Sequence, residues 1–248
     1  MIPSHHRPEA LLGELRRRWG ADCGLWVFGY ASLIWRPEFE ILEQHPALVR
    51  GWHRALRLRS VINRGTPERP GLVFALLPGG ACRGEVYRLA PDSAAHELER
   101  LWQREMPTGV YTPRWLPCRT ARGVLPALAF TLARHSHACL PRLADDTLLA
   151  ILREARGRYG TTLDYLARTA VALRERGIRD REVERMMALA ARAGLASELA
   201  GGSRPADQTD TVDLQAASAT AARACARPSP EAASTSTPGS STSTPAAG

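Results

Sequence analysis

The sequence predicts an α+β fold, a curved sheet or small β-barrel flanked by helices. Strand-like segments concentrate in the first half of the chain, and helical periodicity takes over from about residue 145. Strands first and helices afterwards argue for α+β rather than an alternating βαβ architecture. A third observation bounds the folded part. From about residue 199 the chain turns to Ala, Ser, Thr and Pro and ends "STSTPGSSTSTPAAG". That composition cannot repay its ordering entropy, so residues 199–248 are expected to be a disordered tail.

The elements follow in order. "PEALLGELRRRWG" (8–20) places Leu11, Leu12, Leu15 and Trp19 at helical spacing, which predicts a helical extension over residues 1–23. The folded domain then spans 24–198. Leu25 to Phe28 suit a buried strand, and "ALRLRS" (55–60) alternates Leu56 and Leu58 against arginines, as a strand with one wet face does. "GLVFALLP" (71–78), "RGEVYRLA" (83–90), "RWLPCRT" (114–120) and "VLPALAFTLA" (124–133) read as further strands. Between them "PDSAAHELERLWQREM" reads as a helix with Asp92 or Ser93 as cap and Leu98, Leu101 and Trp102 as its apolar stripe. Glu97 and Glu99 are expected on its solvated face. Asp145 and Asp146 open a second helix. "TLDYLARTAVALRER" sets Leu163, Leu166, Ala170 and Leu173 three or four apart, and "RDREVERMMALAARAG" does the same with Val183, Met186, Met187 and Ala190. The methionines read as core filling.

Composition excludes several function classes. All 33 basic residues are arginine, with a net charge of +8. They are scattered and alternate with acids, as in Arg179-Asp180-Arg181-Glu182, so the charge reads as solubility and not as a nucleic-acid footprint. The five cysteines (Cys23, Cys82, Cys118, Cys139, Cys225) are odd in number and contain no CxxC pair, against both a disulfide framework and a zinc ribbon. The apolar run "LWVFGYASLIW" (25–35) is the longest, too short for a bilayer that needs about 20 residues. Arg16, Arg17 and Arg18 precede it as in a signal peptide, but no small-residue cleavage site follows. The expectation is a soluble, cytoplasmic protein with no membrane partner.

Gly29-Tyr30-Ala31-Ser32 breaks that run into a turn of small residues after a strand, a place where backbone N–H groups can hold a carboxylate or phosphate. It matches neither a P-loop nor a dinucleotide fingerprint. "FGYASLIWRPEF" resembles the FGYGSLxW signature of the ChaC-type, glutathione-specific γ-glutamylcyclotransferases. "VRGWHRALRLRS", "RGTPERPGLVFALLPGG", "GEVYRL", "LWQREMPTGVYTPRWLP" and "YGTTLDYLARTAVALRERGIRD" follow in the family's order and spacing, covering about residues 25 to 190. The resemblance implies a γ-glutamylcyclotransferase-like fold, a small mixed β-barrel with flanking helices. It also implies a lyase that closes the γ-glutamyl group of glutathione into 5-oxoproline and releases Cys-Gly.

That chemistry needs little. The substrate's own α-amine attacks its own γ-carbonyl, so nucleophile and electrophile arrive together. A proton acceptor is required, because an α-amine with a pKa of about 8 is mostly protonated at neutral pH, and the carbonyl oxygen needs donors. No metal or organic cofactor is needed. Glu105 falls where the family places its catalytic glutamate. Met106, Pro107 and Val110 around it are apolar and raise its pKa, while Arg104 opposes them. Glu85 in "GEVYRL" is the understudy. By the same resemblance Phe28, Gly29, Tyr30, Ala31, Ser32 and Leu33 form the substrate loop, and Tyr111 is equally a pocket residue or a half-buried strand residue.

One residue departs from the pattern: Ala31 stands where the family carries glycine. With φ > 0 alanine would cost about 1 kcal/mol or more. With φ negative its methyl needs only a little room beside the substrate, and the intact remainder of the signature favours that case. His135, His137 and Cys139 alternate like metal ligands, but "RHSHACLPR" reads as a loop. His53 reads as structural and Cys118 as a buried thiol. Two other functions remain open: a cyclotransferase for other γ-glutamyl amino acids or amines, and a non-catalytic arginine-rich binding protein. The oligomeric state is not legible.

Overall fold

Two long antiparallel strands carry the architecture of this computed structural model, which describes residues 12–13, 24–106 and 108–195. Strand β2 (Glu43–Ser60) pairs with β3 (Gly71–Leu89) from Glu43↔Arg88 to Ser60↔Gly71. With β1 (Leu25–Gly29), β4 (Thr112–Thr120) and β5 (Gly123–Thr131) they form a closed barrel in the order β1-β3-β2-β4-β5. Val27 and Leu128 join β1 to β5 in parallel, so the barrel is mixed.

The two strands expected at 71–78 and 83–90 are one. Pro78-Gly79-Gly80 lies inside β3, with φ of 100° at Gly79 and 72° at Gly80, and the register shifts opposite them between Arg50 and Trp52, around Gly51 at φ 81°. These glycines absorb a β-bulge that a side chain would strain. Sequence punctuation here marks a bend in a continuous strand.

A short helix, α1 (Ser32–Trp35), follows β1, and α2 (Ala94–Glu105) follows β3. The α2 stripe of Leu98, Leu101 and Trp102 packs on Leu25, Val27, Leu89, Leu128 and Phe130; each such burial stabilises by about 2 kcal/mol. Glu97 departs from expectation. It adjoins Leu98 and precedes Leu101 by one turn, so it sits at the edge of the stripe, only 7% exposed and 3.4 Å from Arg100. Ser93 holds the cap position of α2, but its hydroxyl bonds to Ala90 O and does not cap.

Helices α3 (Asp145–Glu154), α4 (Thr162–Glu175) and α5 (Arg181–Arg192) complete the domain, with the hairpin of β6 (Arg156–Gly157) and β7 (Gly160–Thr161) between α3 and α4. Leu163, Leu166, Ala170 and Leu173 of α4, with Val183, Met186 and Ala190 of α5, bury against Phe28, Leu72, Phe74 and Cys118 of the barrel. Thr161 and Asp180 cap the two helices, accepting from Asp164 N and from Glu182 N and Val183 N. Several exposed arginines are paired with acids, as Arg174 with Glu184 at 2.6 Å and Arg185 with Asp145 at 2.7 Å.

Among the described residues no helix is long and apolar enough to cross a membrane. The expected N-terminal helix, apart from Leu12 and Gly13, and the expected tail lie outside the described residues.

Candidate active site

At the end of β1 the chain turns through Tyr30 and Ala31 into α1. Ile34 N donates to Ala31 O at 2.9 Å and Arg36 N to Ser32 O at 2.7 Å, which closes the turn and leaves the amides of Ala31, Ser32 and Leu33 outside those bonds, at its head. Ala31 has φ −147° and is 4% exposed. Its φ is negative, so alanine stands in place of glycine without left-handed strain.

This turn forms one wall of a cleft of about 330 Å³. Glu105, the last residue of α2, lines it together with Tyr30, Ala31, Ser32 and Leu33. Phe28 and Gly29, expected in the same loop, lie behind it. Phe28 is fully buried in the core, and Gly29 still belongs to β1, where a Cβ would meet the Tyr87 ring at 2.8 Å. The loop that meets the cleft is therefore shorter than the signature.

The Glu105 side chain is 15% exposed. Burial pushes its carboxyl above the ordinary range, the Arg104 guanidinium at 3.2 Å pulls it down, and Glu38 adds to the rise. Arg104 is held in turn by Arg36 O at 2.5 Å, Glu38 Oε2 at 2.8 Å and Ser32 Oγ at 3.2 Å. One guanidinium thus joins the carboxylate to the turn.

Three tyrosines line the cleft with Glu105. Tyr30 Oη donates to Phe130 O at 3.0 Å, Tyr111 Oη donates to Phe74 O at 3.3 Å, and Tyr165 Oη accepts from Phe74 N at 3.2 Å. Burial first, with the Glu105 charge adding to it, raises all three hydroxyls, Tyr165 to about 12. They stay protonated at neutral pH, and Tyr30 and Tyr111 give their protons to backbone carbonyls. Tyr111 is settled as a cleft residue.

Behind the turn, Arg54 is a buried strut with 1% of its side chain exposed. Its Nε donates to Tyr30 O, its Nη1 reaches Asp180 at 2.5 Å and its Nη2 reaches Arg83 O at 2.6 Å. No sequence pattern marks it, since it occupies one position of an Arg-rich strand. Tyr165 is equally hidden among the apolar residues of α4.

Glu85 lies elsewhere. It is 2% exposed, opposite Gly29 in the β1–β3 ladder, bonded to Gln44 at 3.2 Å and 3.9 Å from Arg176, and it does not line the cleft. His53 Nδ1 lies 2.9 Å from Gly79 O, and Cys118 is fully buried in β4. Among the described residues no group of three or more His, Cys, Asp and Glu side chains is arranged to hold a metal ion; His135 and His137 occupy turns after β5, and Cys139 forms an isolated bridge with Leu58.

The arrangement presents a carboxylate of raised pKa, neutral phenols and a turn of backbone amides around one small cavity. That set can move a proton and stabilise a carbonyl oxygen that gains charge.

Comparison with known proteins gives the same direction. Residues 25–193 match the family described as ChaC-like protein. The chain is 36% identical over 162 residues to a glutathione-specific γ-glutamylcyclotransferase of Escherichia coli K12, covering 63% of this chain and 68% of that one. It is 30% identical to the human glutathione-specific γ-glutamylcyclotransferase 1, covering 63% and 73%. The fold is similar to the crystal structure of a yeast γ-glutamyl cyclotransferase specific to glutathione, with a TM-score of 0.62 over 68% of this chain and 96% of that one, at 22% identity. On the matched span, which runs from the first barrel strand through the last helix, this chain belongs to the ChaC-like family.

Proposed function

We propose that this chain is a glutathione-specific γ-glutamylcyclotransferase in which Glu105 is the base. The observation that carries the reading is that Glu105 lines the same cleft as the Tyr30–Leu33 turn, under burial that raises its pKa. A base matched to neutral pH is what the reaction lacks. The γ-glutamyl end lies on the turn, with its γ-carbonyl oxygen toward the amides of Ala31, Ser32 and Leu33. Glu105 takes a proton from the α-ammonium, and the freed nitrogen attacks the γ-carbon. The new C–N bond closes the five-membered ring as the bond to the cysteinyl nitrogen breaks. Overall two protons pass from the attacking nitrogen to the leaving one, with Glu105 as acceptor and then donor. Water is not consumed.

The substrate is a small molecule, and the cleft volume of about 330 Å³ lies at the small end of ligand pockets, as a tripeptide requires. We place the reaction in the cytoplasm, the compartment that suits the free thiols of Cys82, Cys118 and Cys139.

The test is 5-oxoproline release from glutathione by the purified protein beside Glu105→Gln. The expected result is a folded variant whose turnover falls roughly a hundredfold or more. Full activity in Glu105→Gln removes the mechanism, and no release by the wild type removes the function.

A further inference from the structure

The far rim of the cleft carries a second kind of chemistry. Five arginines line the cavity, and three of them are already engaged: Arg104 by Glu105 and Glu38, Arg36 by Glu38, and Arg64 by Asp164. Arg59 and Arg158 have no carboxylate partner among the described residues, and both are exposed. The Arg158 guanidinium lies 5.3 Å from the centre of the Tyr159 ring, a face it shares with Arg36 at 5.1 Å. Stacking on an aromatic face holds a guanidinium in orientation without spending its hydrogen-bond donors.

This rim is built, although it is exposed. Arg158 and Tyr159 form the tip of the β6–β7 hairpin. Arg158 N donates to Ile62 O at 2.8 Å, Tyr159 N to Asn63 O at 2.9 Å, and the buried Arg64 grips Tyr159 O at 2.6 Å. The hairpin docks so closely that a Cβ on Gly157 would stand 2.5 Å from Gly65 N and 2.6 Å from Arg64 N. Two cations without a carboxylate partner, Arg158 beside the Tyr159 ring and Arg59 with its Nη2 donating to Pro67 O at 3.4 Å, thus line a cavity whose acids, Glu105 and Glu38, are both already paired with arginine.

We propose that Arg158, seated on Tyr159 and assisted by Arg59, binds the terminal carboxylate of the substrate's leaving peptide. The site then selects γ-glutamyl peptides that end in a free carboxylate over γ-glutamyl amines and amides. This rests on the reading of the cleft as a cyclotransferase site. With the γ-carbonyl at the turn, the leaving group is a dipeptide, and two residues of extended chain carry its carboxylate roughly 7 Å outward. A guanidinium donates two parallel hydrogen bonds to a carboxylate and gains charge assistance from it. An amide or an amine offers it no such acceptor.

The experiment compares glutathione with its glycine-amide analogue. Turnover is followed by 5-oxoproline release with wild type, Arg158→Ala and Arg59→Ala, and binding is followed by calorimetry on Glu105→Gln. The wild type is expected to prefer the free acid by about tenfold in kcat/KM, carried by KM, and Arg158→Ala to bring the ratio near one. Calorimetry should show the same preference. Equal turnover of acid and amide by an active wild type overturns the carboxylate site and leaves the cyclotransferase reading standing. Binding that prefers the acid without any 5-oxoproline release supports the carboxylate site while the reaction falls. Equal binding of both compounds by Glu105→Gln overturns the carboxylate site whatever the turnover.

Discussion

Arg104 and Glu105 are consecutive residues on the last turn of α2, and the guanidinium that lies 3.2 Å from the Glu105 carboxylate also donates to Ser32 Oγ at 3.2 Å. The Glu105 carboxylate and the turn therefore share one cation. The same cation opposes the rise that burial imposes on Glu105, while Glu38 reinforces it. Opposite pH shifts follow. Glu38→Gln lowers the Glu105 pKa and moves the acid limb of kcat/KM to lower pH, whereas Arg104→Met raises it and moves that limb up. Profiles of the three proteins check this, and coincident limbs would separate the limb from Glu105.

Glu105 also costs stability. Its folded-state pKa is raised above the unfolded value, so the folded protein holds this proton more tightly than the unfolded chain does. The associated stability is present below the unfolded pKa of about 4.3 and is lost as pH rises through the folded pKa. Glu105→Gln, which carries no charge at either pH, is expected to melt above the wild type at pH 7, with the gap closing near pH 4. Thermal unfolding at the two pH values measures it. A Glu105→Gln protein less stable at pH 7 would show that the carboxylate is satisfied by its neighbours.

The Arg54–Asp180 pair ties the turn to the start of α5. Asp180→Asn retains a capping oxygen but strands the buried guanidinium, and a cost of roughly 3 kcal/mol is expected. Asp180→Ala removes the cap as well, for about 1 kcal/mol more. Urea unfolding of the two variants separates the contributions. Equal losses would mean that the cap adds nothing.

Ala31 has a negative φ and is buried. Ala31→Gly is expected to destabilise by about 1 kcal/mol through the freer unfolded chain and to leave kcat unaltered. Denaturation and steady-state kinetics check both halves. A clear rise in kcat would show that the methyl crowds the substrate.

The chain order of the elements was legible from local rules. The Leu98–Trp102 stripe and the Leu163–Leu173 and Val183–Ala190 spacings depend on residues a few positions apart, and each appears in the structure where its spacing puts it. Local rules failed where distant chain decides. Pro78-Gly79-Gly80 reads as a break because its partner Gly51, across the ladder, is invisible in the sequence. Glu97 reads as solvated because its helix does not reveal how wide the buried face is.

The site divides along the same line. By itself the sequence determined the turn of small residues after the first strand, read as Gly29 to Ser32, the acidic Glu105 among apolar neighbours and the family they resemble. Tertiary structure alone decided that Tyr165 joins Tyr30 and Tyr111 around Glu105, that Arg54 reaches Asp180 across 126 residues of chain, and that Arg158 stands at the cleft rim. The physical reason is barrel closure. Strand register and helix docking set which side chains share a cavity, and both arise from the whole hydrophobic core, not from any window of the chain.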